Sequence, residues 1–517
     1  MLSFDLLYPD EQKRREGRGS SRISAALLHD LQLDELAERG ILGGEEYQIL
    51  CGEIEQLPGD VEVIRFRQTV MQDLMENPAF VKGLSALCRQ LKDDIPRKRY
   101  DIWEPQTPVY KNLVDYVELL KRNCQVLYGT DFSAETKFHS EVLNNLVIFL
   151  REGGCRRKLE EAVGLLEEIL EAGAVGYQVQ YTWGQAMSRV VIQELSRDSV
   201  CPMKEKRLLK RKTPDKDRIV SADGNPVLRN NIAEIYSKTI VRLCDFASRL
   251  NHAVVGAFQR IQSGLSYYRA GITLYRMYRD LDIPVCLPLV WKGEQGRMTF
   301  AGLFPLRLAA ECFQQGGAGS SAKIQCNDYS NMEGRIAFIT GYNSGGKTVF
   351  LQSLGTAQIM YQLGFYVPAR SFQAAPVSYI GSLFGSMEDQ KTEHGKLQQE
   401  LVQVRELARQ LKRGSLILLN EILATTSEKE GSEIMGEVLH AFSKMQAHMV
   451  FVTHLFRLAD AAQKGRLCLA DGERALNYVT EKYDEKEGDE KTYRIIQGAP
   501  MDDIYEGRFA DQYLKIK

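Results

Sequence analysis

The chain has 517 residues, 44% of them hydrophobic and 26% charged, the balance of an ordinary globular protein with room for two or more domains. A formal net charge of −2 excludes a global electrostatic footprint for nucleic acid, so any such contact has to come from a local patch. The ten cysteines are scattered, none closer together than Cys312 and Cys326, which argues against a zinc site and for reduced thiols in a cytoplasmic protein.

The first twenty residues read as an arm with a charged tail, without the apolar core of a signal peptide. No apolar run reaches the about 18 residues that a membrane span needs, so no membrane contact is expected. Arg22 to about Glu55 has a helical pattern. Pro58-Gly59-Asp60 is a turn with a cap, and VEVIRFRQTVMQDLMENP after it predicts an amphipathic helix ended by Asn77-Pro78. Further helices are predicted over Ala79–Lys92, Thr107–Leu127, Ser133–Gly153 and Cys155–Ala172. Their apolar residues recur at three and four, which is core packing. Gln178 to Leu195 alternates like strand. Lys204 to Arg218 then packs eight basic residues into fifteen: Lys204, Lys206, Arg207, Lys210, Arg211, Lys212, Lys216 and Arg218. A solvated loop is the default reading, and contact with a phosphate backbone is the functional one. Asn231 to Asp280 reads as one helix of about 50 residues, roughly 75 Å at 1.5 Å per residue, long enough for a lever. Gly256, Gly264 and Gly271 are its soft points. From Ile283 to Leu308 the pattern turns strand-like, which puts a domain boundary near Pro284.

Arg335 to Thr340 is a short apolar run with β-branched residues, the pattern of a buried strand. Gly341-Tyr342-Asn343-Ser344-Gly345-Gly346-Lys347-Thr348 follows and fits GxxxxGK[ST] at every fixed position. An amphipathic helix starts at Val349. Strand, glycine loop and helix are the context in which backbone N–H groups wrap phosphates and the helix dipole adds to the attraction. Lys347 is the candidate for the β/γ-phosphates and Thr348 for Mg²⁺. Two more continuous apolar runs, Leu416–Glu421 and Val450–His454, suit buried strands of a parallel sheet. Ligands collect at the carboxyl ends of such strands. The three runs thus deliver the glycine loop, Asn420-Glu421 and His454 to one crevice. Glu421 is the candidate for orienting the attacking water and His454 for sensing the γ-phosphate, against the reading of His454 as a core histidine.

GYNSGGKT, LLNEILATTSEKEG and FVTHLF resemble the ATPase of the MutS family of mismatch-repair proteins. Tyr366-Val367-Pro368-Ala369 and Gln325-Cys326-Asn327-Asp328 resemble further family segments, with Asn327 matching a nucleotide-contacting asparagine. VEVIRFRQTVMQDLMENP resembles the start of the family's lever domain, and TYRIIQGAPMDDIYEGRFADQYLK the end of its ATPase domain. The resemblance implies an α + α/β fold: a long-helix lever and clamp domain over 1–284, with a reduced clamp at about 178–228 around the basic cluster, then an ABC-type P-loop ATPase domain over 285–517 with a C-terminal dimerisation region. It implies ATP and Mg²⁺, the latter held by Thr348 and Asn420. It also implies a homodimer with composite sites, branched or distorted DNA as ligand, and a MutL-like partner.

The departures are specific. No Phe-x-Glu wedge occurs anywhere in the chain, so neither the mismatch-reading domain nor its connector is expected, nor is an Smr nuclease domain. Asn420 stands where the family has a magnesium-binding aspartate, Gly395 where it has a trans-acting serine, and Leu423-Ala424 where it has a small, flexible pair; Glu400 still matches. Slow hydrolysis at high Mg²⁺ is the expectation. The rivals are an RNA- or ribosome-associated ATPase of the same build, and a protein that binds ATP with little hydrolysis.

Overall fold

The computed structural model describes residues 4–17, 22–91, 107–129, 137–151, 153–171, 175–181, 187–194, 226–316, 324–385, 396–423, 426–470, 472–481 and 492–501. The basic cluster from Lys204 to Arg218, together with Gly395 and Ala424, lies outside them. The chain forms two compact units, one from Met1–Phe4 and Ala79–Gln262, the other from Asp5–Pro78 and Ser263–Lys517.

The first unit is built from the helices Pro78–Gln90, Thr107–Gly129, Glu141–Arg151 and Gly153–Glu171 and the first part of a long one, Pro226–Asp280. Spacing of three and four puts Leu113, Val117 and Leu120 on one buried face and Leu143, Leu146 and Leu150 on another. Asn123 donates to Asn251 across the core at 2.7 Å, a buried amide pair that sets the register of one helix on the other. The strand-like stretch is a hairpin: β1 (Val175–Tyr181) pairs antiparallel with β2 (Met187–Glu194). Pro226–Asp280 runs as one helix of 55 residues, starting at Pro226 rather than at Asn231 where the periodicity predicts it. Proline at the first helical position costs nothing, because that N–H has no intrahelical partner. Gly264 and Gly271 do not break it. They admit close packing: a Cβ on Gly271 would lie 2.8 Å from the Phe365 ring.

The second unit carries two sheets. The larger has the order β12-β11-β6-β10-β9-β8, formed by β6 (Ile336–Thr340), β8 (Ile380–Phe384), β9 (Leu416–Asn420), β10 (His448–Val452), β11 (Ala475–Thr480) and β12 (Ile495–Gln497). All pairs are parallel except β11–β12. β6, β9 and β10 are buried at every position, which is why they read as unbroken apolar runs. The smaller sheet has the order β3-β7-β4-β5, with β3 (Leu289–Val290), β4 (Met298–Leu303), β5 (Asn327–Ser330) and β7 (Ser371–Ala374).

Two stretches differ from their pattern. Residues 22–55 form three helices, Leu27–Asp30, Glu35–Glu38 and Gly44–Glu55, because Gln32 and Gly40 turn left-handed at φ 55° and 67°. Of the stretch from Ile283 to Leu308, Met298–Leu303 is strand as its pattern predicts, whereas its start pairs only at Leu289–Val290 and in an isolated bridge of Cys286 with Val367, since Pro284 and Pro288 have no ladder donor. The cap at Asp60 is as predicted: its side chain accepts from Glu62 N at 2.8 Å and starts the helix Val61–Glu76.

Candidate nucleotide-binding site

β6 lies between β10 and β11, and the glycine loop leaves its carboxyl end and enters the helix Lys347–Gln362. Two glycines are required by the backbone. Gly341 has φ 118° and presses on Thr480, whose N would lie 3.0 Å from an added Cβ; Gly346 has φ 85° and precedes the helix. No side chain caps this helix start. Its first-turn N–H groups, which have no partner within the helix, are therefore suited to phosphate oxygens. Asn343 and Ser344 are exposed at the loop tip. Thr480 on β11 anchors the loop, its Oγ1 accepting from Tyr342 N at 3.1 Å. Lys347 is buried, and its Nζ donates to the carbonyls of Gly341 at 2.5 Å and Tyr342 at 3.3 Å.

The other strand ends complete the crevice. Thr348 Oγ1 donates to Asn420 Oδ1 at 3.2 Å. Two neutral oxygens side by side form a hard donor set that fits Mg²⁺, though the amide lacks the charge an aspartate would bring. Glu421, just past β9, lies 2.8 Å from His454 Nε2 through its Oε1, and both side chains are partly exposed. Glu421 N also donates to Val452 O at 2.8 Å, which ties the ends of β9 and β10 together.

A cleft of about 440 Å³ runs along the glycine loop from Ser344 to Thr348 and reaches Glu421, with Asn420 and His454 behind its lining. Leu303, Pro305, Leu308 and Ile324 supply apolar lining, while Gly345, Gly346, Lys347, Thr348 and Glu421 supply polar lining. An apolar wall with a few convergent polar groups suits a ligand that has a flat ring at one end and phosphates at the other. Asn327 lines the cleft, but its amide is engaged with backbone: Nδ2 donates to Tyr493 O at 3.3 Å and Oδ1 accepts from Ile495 N at 2.7 Å. It therefore holds the segment entering β12 against the site. Tyr493, with left-handed φ of 52° and a half-exposed ring, lines the cleft as well. Thr480 does not stand out in the sequence, and Tyr493 does so only as part of the C-terminal segment quoted for its resemblance, with no role attached to it. Each comes from a region more than 130 residues beyond the glycine loop, and no local spacing marks it.

The strand, glycine loop and helix set in a parallel sheet define a P-loop protein. Residues 337–476 match the family model for MutS domain V, and residues 59–281 match the model for the MutS2 N-terminal domain. The chain is also similar to proteins named DNA mismatch repair protein MutS. It is 32% identical to that of Orientia tsutsugamushi (strain Boryong) over 166 residues, 32% of this chain and 18% of the relative. It is 30% identical to that of Prochlorococcus marinus (strain AS9601) over 141 residues, 27% of this chain and 15% of the relative. The chain belongs to the MutS family. It aligns with less than a fifth of the length of these curated relatives.

Proposed function

We propose that the chain is an ATP-dependent DNA-binding clamp that acts on branched or distorted duplex in mismatch-repair or recombination-type processes. The observation that carries the ATPase part is the meeting of Thr348 with Asn420, and of Glu421 with His454, at the mouth of one glycine loop. The DNA part rests on the relatives' name and on the match of residues 59–281 to a MutS2 domain model.

In this reading Lys347 exchanges its loop carbonyls for phosphate oxygens, and the uncapped N–H groups after Gly346 cradle them. Thr348 and Asn420 hold Mg²⁺, which when bound neutralises phosphate charge and fixes the orientation of the phosphates. Glu421 accepts a hydrogen bond from the attacking water and sets its direction, and His454 fixes the Glu421 carboxylate. Asn327 keeps Tyr493 at the cleft. The working form is a cytoplasmic homodimer, open to a MutL-like partner, and Lys204, Lys206, Arg207, Lys210, Arg211 and Lys212 contact DNA phosphates.

The test compares Glu421→Gln with wild type for phosphate release and for binding to four-way junctions, linear duplex and ribosomes over a salt series, with and without ATP. The variant should retain ATP and junction binding while turnover nearly disappears. Neutralising Lys210, Arg211 and Lys212 together should flatten the salt dependence by up to about 0.9 log units per lost contact. Binding to ribosomes with none to junctions would transfer the reading to the ribosome-associated rival. Wild-type turnover in Glu421→Gln would remove the catalytic assignment.

A further inference from the structure

The helix Lys396–Gln410 carries an acidic side chain that does not face water. Glu400 is only 7% exposed, and its Oε2 accepts from the backbone N–H of Leu423 at 2.9 Å. A carboxylate is among the costliest groups to bury, so the bond it makes marks a backbone that needs holding. That backbone is unusual. Leu423 has φ 60° and Glu421 has φ 53°, both left-handed and neither glycine. Side chains with a Cβ avoid this region, and a bulky leucine there is an outlier. Ile422 and Leu423 are both buried, so water does not satisfy the turn. One end of it is held by the bond from Glu421 N to Val452 O. The other end is held by Glu400.

We propose that Glu400 is a positioning residue, whose buried carboxylate holds the left-handed Glu421–Leu423 turn through the Leu423 N–H and so aims the Glu421 carboxylate. The inference rests on the reading above in one respect, that Glu421 orients the attacking water. Without the bond, Leu423 relaxes toward the right-handed region, and Glu421 rotates out of its 2.8 Å approach to His454. A displacement of about 1 Å at a reacting group is enough for large losses of rate. Binding of nucleotide, which the glycine loop and Lys347 provide, is unaffected.

The experiment uses the full chain carrying Glu400→Ala or Glu400→Gln. It measures kcat and KM for ATP, nucleotide affinity, melting temperature, and hydrogen exchange in the peptide containing Glu421–Leu423. Glu400→Ala should lower kcat by about tenfold or more, leave KM and nucleotide affinity within about twofold, and speed exchange at the turn. Glu400→Gln keeps an acceptor oxygen and should recover at least about a third of the wild-type kcat, with exchange near wild type. The proposal is overturned by an alanine variant with unchanged kcat, by a parallel fall in nucleotide affinity and melting temperature, or by a glutamine variant as slow as alanine. If wild type itself releases no phosphate, the hydrolysis reading fails separately. The exchange rates then decide the tie alone: faster in alanine but not in glutamine supports it, and unchanged in alanine overturns it.

Discussion

Gly341→Ala, in the glycine loop, isolates the loop's anchorage on β11. Gly341 has φ 118°, a region open to glycine, so any side chain there strains the backbone by about 1–3 kcal/mol. The added methyl also overlaps Thr480 Oγ1 and meets Thr480 N at 3.0 Å, an overpacking cost of about 1–3 kcal/mol. The loop relieves part of this by lifting off Thr480, breaking the bond that Oγ1 accepts from Tyr342 N. The phosphate-binding N–H groups lift with it. ATP affinity should therefore fall by about 2 kcal/mol or more, roughly thirtyfold. Thr480→Ala removes the overlapping oxygen but not the φ strain. Alone it should weaken binding by about 1 kcal/mol through the lost hydrogen bond, and combined with Gly341→Ala it should restore about 1–2 kcal/mol. Titration of a fluorescent ATP analogue against the four proteins of this double-mutant cycle gives the coupling directly. Affinity within about threefold of wild type in Gly341→Ala, or a coupling energy near zero, would refute the anchorage.

Three further outcomes follow from particular contacts. Asn420→Asp puts a charge beside Thr348 Oγ1 and should lower the Mg²⁺ concentration for half-maximal turnover on the order of tenfold, with an unchanged requirement placing residue 420 outside the metal's shell. Gln362 is fully buried and makes four hydrogen bonds, donating to Pro58 O and Val377 O and accepting from Val377 N and Gln358 Nε2. Gln362→Leu strands these groups and should destabilise the second unit by about 3 kcal/mol or more, read as urea-dependent proteolysis; a loss under about 1 kcal/mol would contradict the network. His448 is buried, and desolvation, aided by the charges of Arg297 and Arg335, holds its imidazole down from 6.5 to about 4. The unfolded chain takes up that proton first, so stability should be constant above about pH 7 and fall by about 3 kcal/mol between pH 6.5 and 4. His448→Leu should lose this component of the slope, and a variant with the wild-type slope would assign it elsewhere.

Much of the second unit is legible in the amino-acid order. Buried parallel strands write themselves as unbroken apolar runs, and GxxxxGK[ST] between a strand and a helix has one structural meaning, so local pattern marks β6, β9, β10 and the loop. The 55-residue helix was legible for the same reason, because helical period is a local property. What local pattern does not encode is which distant groups meet. The insertion of β6 between β10 and β11, the inclusion of Asp5–Pro78 in the unit that carries the glycine loop, and the bond from Tyr342 N to Thr480 Oγ1 are all contacts between segments far apart in the chain. Asn327 shows the difference in a single residue. Its resemblance suggested contact with nucleotide, while its amide is bonded to the backbone of Tyr493 and Ile495, more than 160 residues away. Glu400 shows it again: on its helix it is one acid among many polar residues, and only tertiary packing removes it from water and sets it on Leu423. Periodicity and propensity act over a few residues, whereas the partners of buried polar atoms are chosen when the chain closes its long-range contacts.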